Sequence, residues 1–299
     1  MNGYAPLHVG HGVYQDGLTV FPIWGDGPSA SGFSWNAADL RVTEREDGPA
    51  VSELLVQNGS AKPLVALEGD LVEGGWQDRM VARSLVLTPH EQRPLDALCV
   101  EARRWNGGMT HTSRGRRAAP SVRHGNVGRR AEHDTQSEVW GRIHRYEEQL
   151  GATASSSMLD HLDRSGGTPI RLIDGQRGVV LGIGGKILGA EIFGSAAALK
   201  TRWQGILDGA LLDARLAPPV RTESRLARRF IRNLGAMPLV LEREAGIAHQ
   251  VGSRNEQLTV SGIALGTPYD TAVAELFAEV DALLHLAAFN EEHPLLEMA

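Results

Sequence analysis

Apolar positions in the first hundred residues come in short runs broken by glycine, proline and asparagine, not at helical spacing. "AVSELLVQNGSAKPLVALEGDLV" (50–72) holds two such runs around the turn dipeptide Asn58-Gly59, with Pro63 limiting the second. "RMVARSLVLTPHEQRPLDALCVEARRW" (79–105) holds two more around Thr88-Pro89. Short strands at regular spacing with turn residues between them predict an antiparallel sandwich or a barrel-like sheet.

The pattern changes after about residue 133. Val139, Ile143, Tyr146 and Leu150 repeat at helical spacing, with Asp134 or Thr135 as cap and Gly151 as stop. A second short helix is expected over 155–162. "GVVLGIGGKILGAEIF" (178–193) superficially suggests a phosphate loop. A Walker loop, however, needs glycine at Val180 and Ser or Thr at Ile187, and a dinucleotide fingerprint starting at Gly182 fails at the same isoleucine. A hairpin turning at Gly184-Gly185 is the simpler reading. Helices are expected through "AAALKTRWQGILDGALLDARL", stopped by Pro218-Pro219, and through "TESRLARRFIRNLG". Final strands are expected near Leu239–Glu242, Leu258–Ala264 and Leu283–Phe289, with a helix over 271–283.

Composition narrows the class. At 42% hydrophobic and 22% charged residues the chain reads as globular. A single cysteine, Cys99, excludes an intrachain disulfide framework and fits a reducing compartment. The N-terminus lacks a basic region followed by an apolar run, and no stretch approaches membrane-spanning length. The expectation is a soluble cytoplasmic protein. The net charge of −6 hides a cluster of eight arginines between Arg103 and Arg130, a span without Asp or Glu. Its core, 106–131, is rich in Gly, Arg and Ser, shows no apolar period and is expected to be a loop.

Chemistry concentrates in "LEGDLVEGGWQDRM" (67–80), where four carboxylates crowd two consecutive glycines, a tryptophan, a glutamine and an arginine. Glu68 and Asp70, two apart, share one face of a strand. Glu101 sits on a later strand, with Gln77, Arg79 and Arg104 as donors; together they suit a ribose and a phosphate. The same charges also suit a solvated hairpin tip. Trp105, beside Arg104, is the indole best placed to stack on a base, whereas Trp76, Trp140 and Trp203 read as core or interface. Cys99, inside an apolar run, reads as a buried inert thiol. His8-x-x-His11 and the region of His161 match no metal motif, so no metal is expected. No serine elbow occurs.

"CVEARRW" (99–105), preceded by Glu68-Gly69 and Gln77-x-Arg79, resembles the ADP-ribosylglycohydrolase- and rhodanese-phosphatase-associated protein domain. The likeness continues in order through "APSVR" (119–123), "QSEVW" (136–140), "GVVLGIGGKILGAEIFGS" (178–195), "RWQGILDGALLDA" (202–214) and "LLHLAAF" (283–289). Where the family has Gln-Asn-Arg, this chain has Gln77-Asp78-Arg79. The resemblance covers nearly the whole chain and implies one unit, 1–299, with a β-rich part (1–105), the Arg/Gly-rich loop (106–131) and an α+β part (132–299). It also implies a setting in nucleotide or ADP-ribose metabolism.

The expected fold is α+β: an N-terminal antiparallel β-sandwich-like half packed on a C-terminal half of mixed helices and strands. The expected function is to bind a nucleotide or ADP-ribose-like anion, with processing of that ligand as its extension. In that scheme Arg79, Arg104 and Arg123 hold charge and Gln77 orients the ligand. Asp70 and Trp105 add contacts, and Glu68 or Glu101 acts as general base or ribose ligand. No cofactor is assigned. The competing expectation is a non-enzymatic scaffold that assembles with itself. An acidic protein with one short basic patch argues against nucleic acid as partner, and no membrane is expected.

Overall fold

The computed structural model describes residues 7–127, 135–166, 170–266, 271–272 and 283–297. The fold is α+β. In chain order the first strands are β1 (Leu7–Val9), β2 (Val13–Gln15), β3 (Leu18–Gly25), β4 (Leu40–Thr43), β5 (Glu53–Asn58) and β6 (Leu64–Ala66). Next come β7 (Asp70–Gly74), β8 (Arg79–Val81), β9 (Leu85–Leu87), β10 (Gln92–Cys99) and β11 (Thr110–Arg117). Helices α1 (Pro120–His124), α2 (Thr135–Leu150) and α3 (Met158–Arg164) follow, then β12 (Gly178–Ile183) and β13 (Lys186–Phe193). After α4 (Ala196–Ala214) and α5 (Ser224–Gly235) the chain ends in β14 (Pro238–Ala245), β15 (Ala248–Arg254), β16 (Leu258–Ala264), β17 (Thr271–Ala272) and β18 (Leu283–Asn290).

Two compact units divide the chain. One comprises Met1–Ser31, Thr168–Trp203 and Asp213–Ala299; the other comprises Gly32–Gly167 and Gln204–Leu212. In the first unit an antiparallel sheet runs β1-β3-β12-β13-β18-β16-β15-β14-β17, with β2 also on β3. Helix α5 covers its core. Ala227, Phe230, Ile231 and Leu234 fall at helical spacing on one face and pack with Phe21, Ile23, Val180, Ile192, Val260 and Leu286. Each large side chain so buried contributes about 1.5–3 kcal/mol. The β12–β13 hairpin turns at Gly184 and Gly185, φ 60° and 81°, as the glycine pair predicted.

The second unit is a closed barrel, β10-β5-β4-β11-β7-β8, with every neighbouring pair antiparallel, beside the two-stranded sheet β6-β9. Of the two strand architectures the spacing allowed, the barrel is the one formed. Alternation fills it: Leu54, Val56 and Asn58 of β5, Leu40 and Val42 of β4, and Leu95, Ala97 and Cys99 of β10 are buried while most of the residues between them are not.

Residues 106–131 correct the expectation of a loop. Thr110–Arg117 is barrel strand β11 and Pro120–His124 is helix α1, whereas 128–131 lie outside the described residues. The strand escaped notice because its buried residues, His111, Ser113 and Arg117, are polar, and because a register shift between Ser113 and Arg117 breaks the alternation. Gly205 of α4 lets the helix approach this strand; a Cβ there would stand 2.3 Å from the Gly115 carbonyl oxygen. A second correction concerns 271–283. Thr271–Ala272 pairs with β14 as a strand, and the remainder of the expected helix up to residue 282 lies outside the described residues.

Candidate functional site

Strand alternation carries polar groups into one end of the barrel. Glu44 stands two residues beyond Val42 and Glu101 two beyond Cys99, so each continues an inward-facing row; both are buried. His111 enters from β11 and Arg79 from β8. His111 Nε2 lies 3.1 Å from Glu44 Oε1, which also accepts the Trp76 backbone N–H at 3.0 Å; both side chains are 0% exposed. Glu44 Oε2 and His111 Nδ1 have no hydrogen-bond partner among the described residues. Burial pushes the His111 pKa below its ordinary value, and Arg79 and Arg104 add to this against the opposing pull of Glu44.

Arg79 is the least compensated charge of the group. Its guanidinium, fully buried, donates to Gln77 Oε1 at 3.1 Å, to Cys99 Sγ and to the Ala50 carbonyl at 3.4 Å, none of which is a carboxylate. Its Nε is unsatisfied. A buried cation held only by neutral acceptors carries an uncompensated desolvation cost. The Trp105 ring lies over it, 5.4 Å from Cζ to the ring centroid, and meets Trp76 edge-on at 5.6 Å. Trp105 itself is 42% exposed, on a run in which 105–110 are all exposed. Solvent is therefore on one face of the indole and the buried guanidinium on the other. Burial raises the Cys99 thiol pKa despite Arg79 beside it, so the thiol is neutral, as its apolar setting suggested.

Glu101 and Arg104 close the rim. Arg104 Nε lies 2.9 and 3.0 Å from the two Glu101 oxygens and its Nη2 lies 2.6 Å from Oε2. Arg104 also donates to the Gly75 carbonyl at 2.8 Å and to Asp78 Oδ1 at 3.3 Å. Gln77 Nε2 donates to the Glu101 carbonyl at 2.9 Å, and the Asp78 N–H to Glu101 Oε2 at 2.9 Å. Burial works to raise the Glu101 pKa, but the hydrogen bonds from Arg104 and Asp78 outweigh it and hold the carboxyl below its usual value. Asp78, by contrast, is pushed up by burial.

Glu68, Asp70 and Arg123 belong to a second buried group. Arg123 Nη2 and Nε lie 2.9 and 3.1 Å from Glu68 Oε2. Arg117 donates to Asp70 Oδ1 at 2.7 Å and to the Glu68 carbonyl at 3.1 Å, and the Leu67 N–H donates to Asp70 Oδ2 at 3.0 Å. Gly69, at φ 85°, leaves room for the arginine: a Cβ there would stand 2.4 Å from Arg123 Nε. By their hydrogen bonds, and for Trp105 by its ring contact with Arg79, the eight residues expected from the sequence thus fall into two groups: Gln77, Arg79, Glu101, Arg104 and Trp105 in one, and Glu68, Asp70 and Arg123 in the other. Glu44, His111 and Arg117 were not singled out. Glu44 sits in "VTEREDG", which reads as a solvated charge run, and only the two-residue step from Val42 betrays it.

Among the described residues no group of three or more His, Cys, Asp and Glu side chains could hold a metal ion, and no helix is long and apolar enough to cross a membrane. The fold and site define an α+β protein whose six-stranded barrel holds a buried cation under an exposed indole. The model of the ARG and Rhodanese-Phosphatase-superfamily-associated Protein domain matches residues 6–289, and the chain belongs to that family. Its name records an association with ADP-ribosylglycohydrolase and rhodanese-phosphatase. No curated protein and no solved structure matches the chain.

Proposed function

We propose that the protein binds a nucleotide or ADP-ribose-like anion at the barrel end, beneath Trp105. The observation that carries this reading is the fully buried Arg79 guanidinium, which has no carboxylate partner among the described residues and is covered by an exposed indole. A phosphate reaching Arg79 supplies the missing counter-charge through a charge-assisted pair. The Trp105 indole over Arg79 then stacks on the base, as aromatic side chains do with nucleobases. Gln77 orients the ligand. Arg104 holds Glu101 ionised, which suits it to accept ribose hydroxyls more than protons. Processing of the ligand falls in this scheme to His111, neutral and paired with Glu44, as general base. The family's association with ADP-ribose enzymes supports the choice of ligand class.

Glu68, Asp70 and Arg123, with Arg117, fit a structural clamp better than a ligand site, because their charges already meet one another. That commitment is what the scaffold reading expects of the whole set, and light scattering over a range of concentrations tests assembly directly. The ligand reading is tested by thermal shift against ADP-ribose, NAD, AMP and ADP. A ligand present at a hundred times its Kd stabilises the native state by about 2.7 kcal/mol. Absence of a shift across the panel at millimolar ligand would discard the reading.

A further inference from the structure

We propose that a cleft beside α5, in the sheet unit, is a second ligand site for a small organic anion with a flat apolar body. The cleft encloses about 240 Å³ and is formed wholly by residues of that unit. Its floor is apolar: Ile187 from β13, Phe230 from α5 and Leu258 from β16 are buried there. Two cations stand on its rim. Lys186 follows the Gly184-Gly185 turn, and Arg229 lies on the exposed side of α5. Neither side chain has a hydrogen-bond or ion-pair partner among the described residues.

The sequence explains why these charges remain unspent. Helix α5, "SRLARRFIRNLG", carries four arginines and no acidic residue, so nothing on the helix pairs with Arg229. Glu292 shares the rim but forms no ion pair with either cation, and the local balance stays positive. The side-chain amides of Asn233 and Gln257 also line the cleft and have no partner among the described residues. Paired cations, free amides and an aromatic floor are the elements of a site for an oxyanion joined to a ring: Arg229 and Lys186 take the headgroup and Phe230 takes the ring face. The volume suits a one-ring molecule and falls short of a dinucleotide, so this ligand differs from the one proposed for the barrel. Phosphate monoester and carboxylate headgroups share the required chemistry, and probes of each kind separate them.

The test follows amide shifts of the full chain by NMR during titration with phenyl phosphate, benzoate and inorganic phosphate. Saturable shifts confined to the amides at 186–187, 226–233 and 257–258 are expected for one of the ring anions. Inorganic phosphate, lacking the apolar body, binds about tenfold more weakly or worse. The double variant K186A/R229A changes only exposed side chains and loses about tenfold in affinity or more, whereas Glu292→Gln, which removes the competing negative charge, tightens binding. No saturable binding by either ring anion overturns the proposal. Shifts centred elsewhere, or unchanged affinity in both variants, overturn it equally.

Discussion

Breaking the Glu68–Arg123 pair separates a clamp from a ligand site. The two side chains are 8% and 2% exposed, and two guanidinium nitrogens meet one carboxylate oxygen at 2.9 and 3.1 Å. At this separation the gross attraction is ~6 kcal/mol for an effective dielectric near 20, most of it offset by the desolvation of both ions. Removing one partner keeps the other's desolvation cost and loses the attraction. Glu68→Leu or Arg123→Met should each therefore destabilise the protein by about 3–5 kcal/mol. The double variant removes both charges of the pair and should recover to within about 2 kcal/mol of the parent. Urea unfolding of all four proteins, followed by tryptophan emission and circular dichroism, closes the cycle. Single variants within about 1 kcal/mol of the parent would refute the clamp, because a buried pair cannot be halved so cheaply.

Burial lowers the His111 pKa, so its imidazole NMR signals should show less than half protonation at pH 6.5, where an unshifted histidine is half charged. Its folded pKa lies below its unfolded one, so its contribution to stability is fully present above pH 6.5 and is lost as pH falls toward the folded value. Replacement by Gln should shallow the slope of unfolding free energy against pH in that window, leaving the contribution of His293, which has the same sign; an unchanged slope contradicts the assignment. Cys99, buried with its thiol pKa raised, should react with iodoacetamide only at the rate of barrel opening, so rapid native labelling at pH 8 would contradict its placement. Gly69→Ala forces a side chain onto φ 85° and against Arg123, and should lower stability by roughly 2 kcal/mol or more in denaturant melts; a neutral outcome would mean that Arg123 moves freely.

The elements read most readily from the sequence were those whose own side chains carry an apolar period. Helix α2 shows Val139, Ile143 and Tyr146 on one face, α5 shows Ala227, Phe230, Ile231 and Leu234, and the β12–β13 turn shows its glycine pair. Strand β11 was illegible because "THTSRGRR" turns polar groups inward, and those groups are satisfied by partners far away in the chain: Arg117 by Asp70, His111 by Glu44. Pairing over such separations leaves no local trace. The same holds for β3, which leaves the N-terminal residues and pairs with β12 over a hundred and fifty positions later. Within the site, Gln77, Arg79, Glu101 and Arg104 stood out because they cluster in short charged motifs. The separation of Glu68 and Asp70 into a second group depended on where Arg117 and Arg123 returned, and "RGRRAAPSVR" does not encode that locally.

If Arg79 is kept without a carboxylate partner for a ligand, Arg79→Met is the variant that shows it. Calorimetric titration with ADP-ribose, alongside denaturant unfolding of the same protein, separates binding from folding. Because no carboxylate among the described residues pairs with Arg79, the variant should stay within about 1 kcal/mol of the parent in stability while losing affinity about a hundredfold. A variant that binds ADP-ribose as tightly as the parent, or that loses several kcal/mol of stability, would place Arg79 among the structural residues and contradict the account.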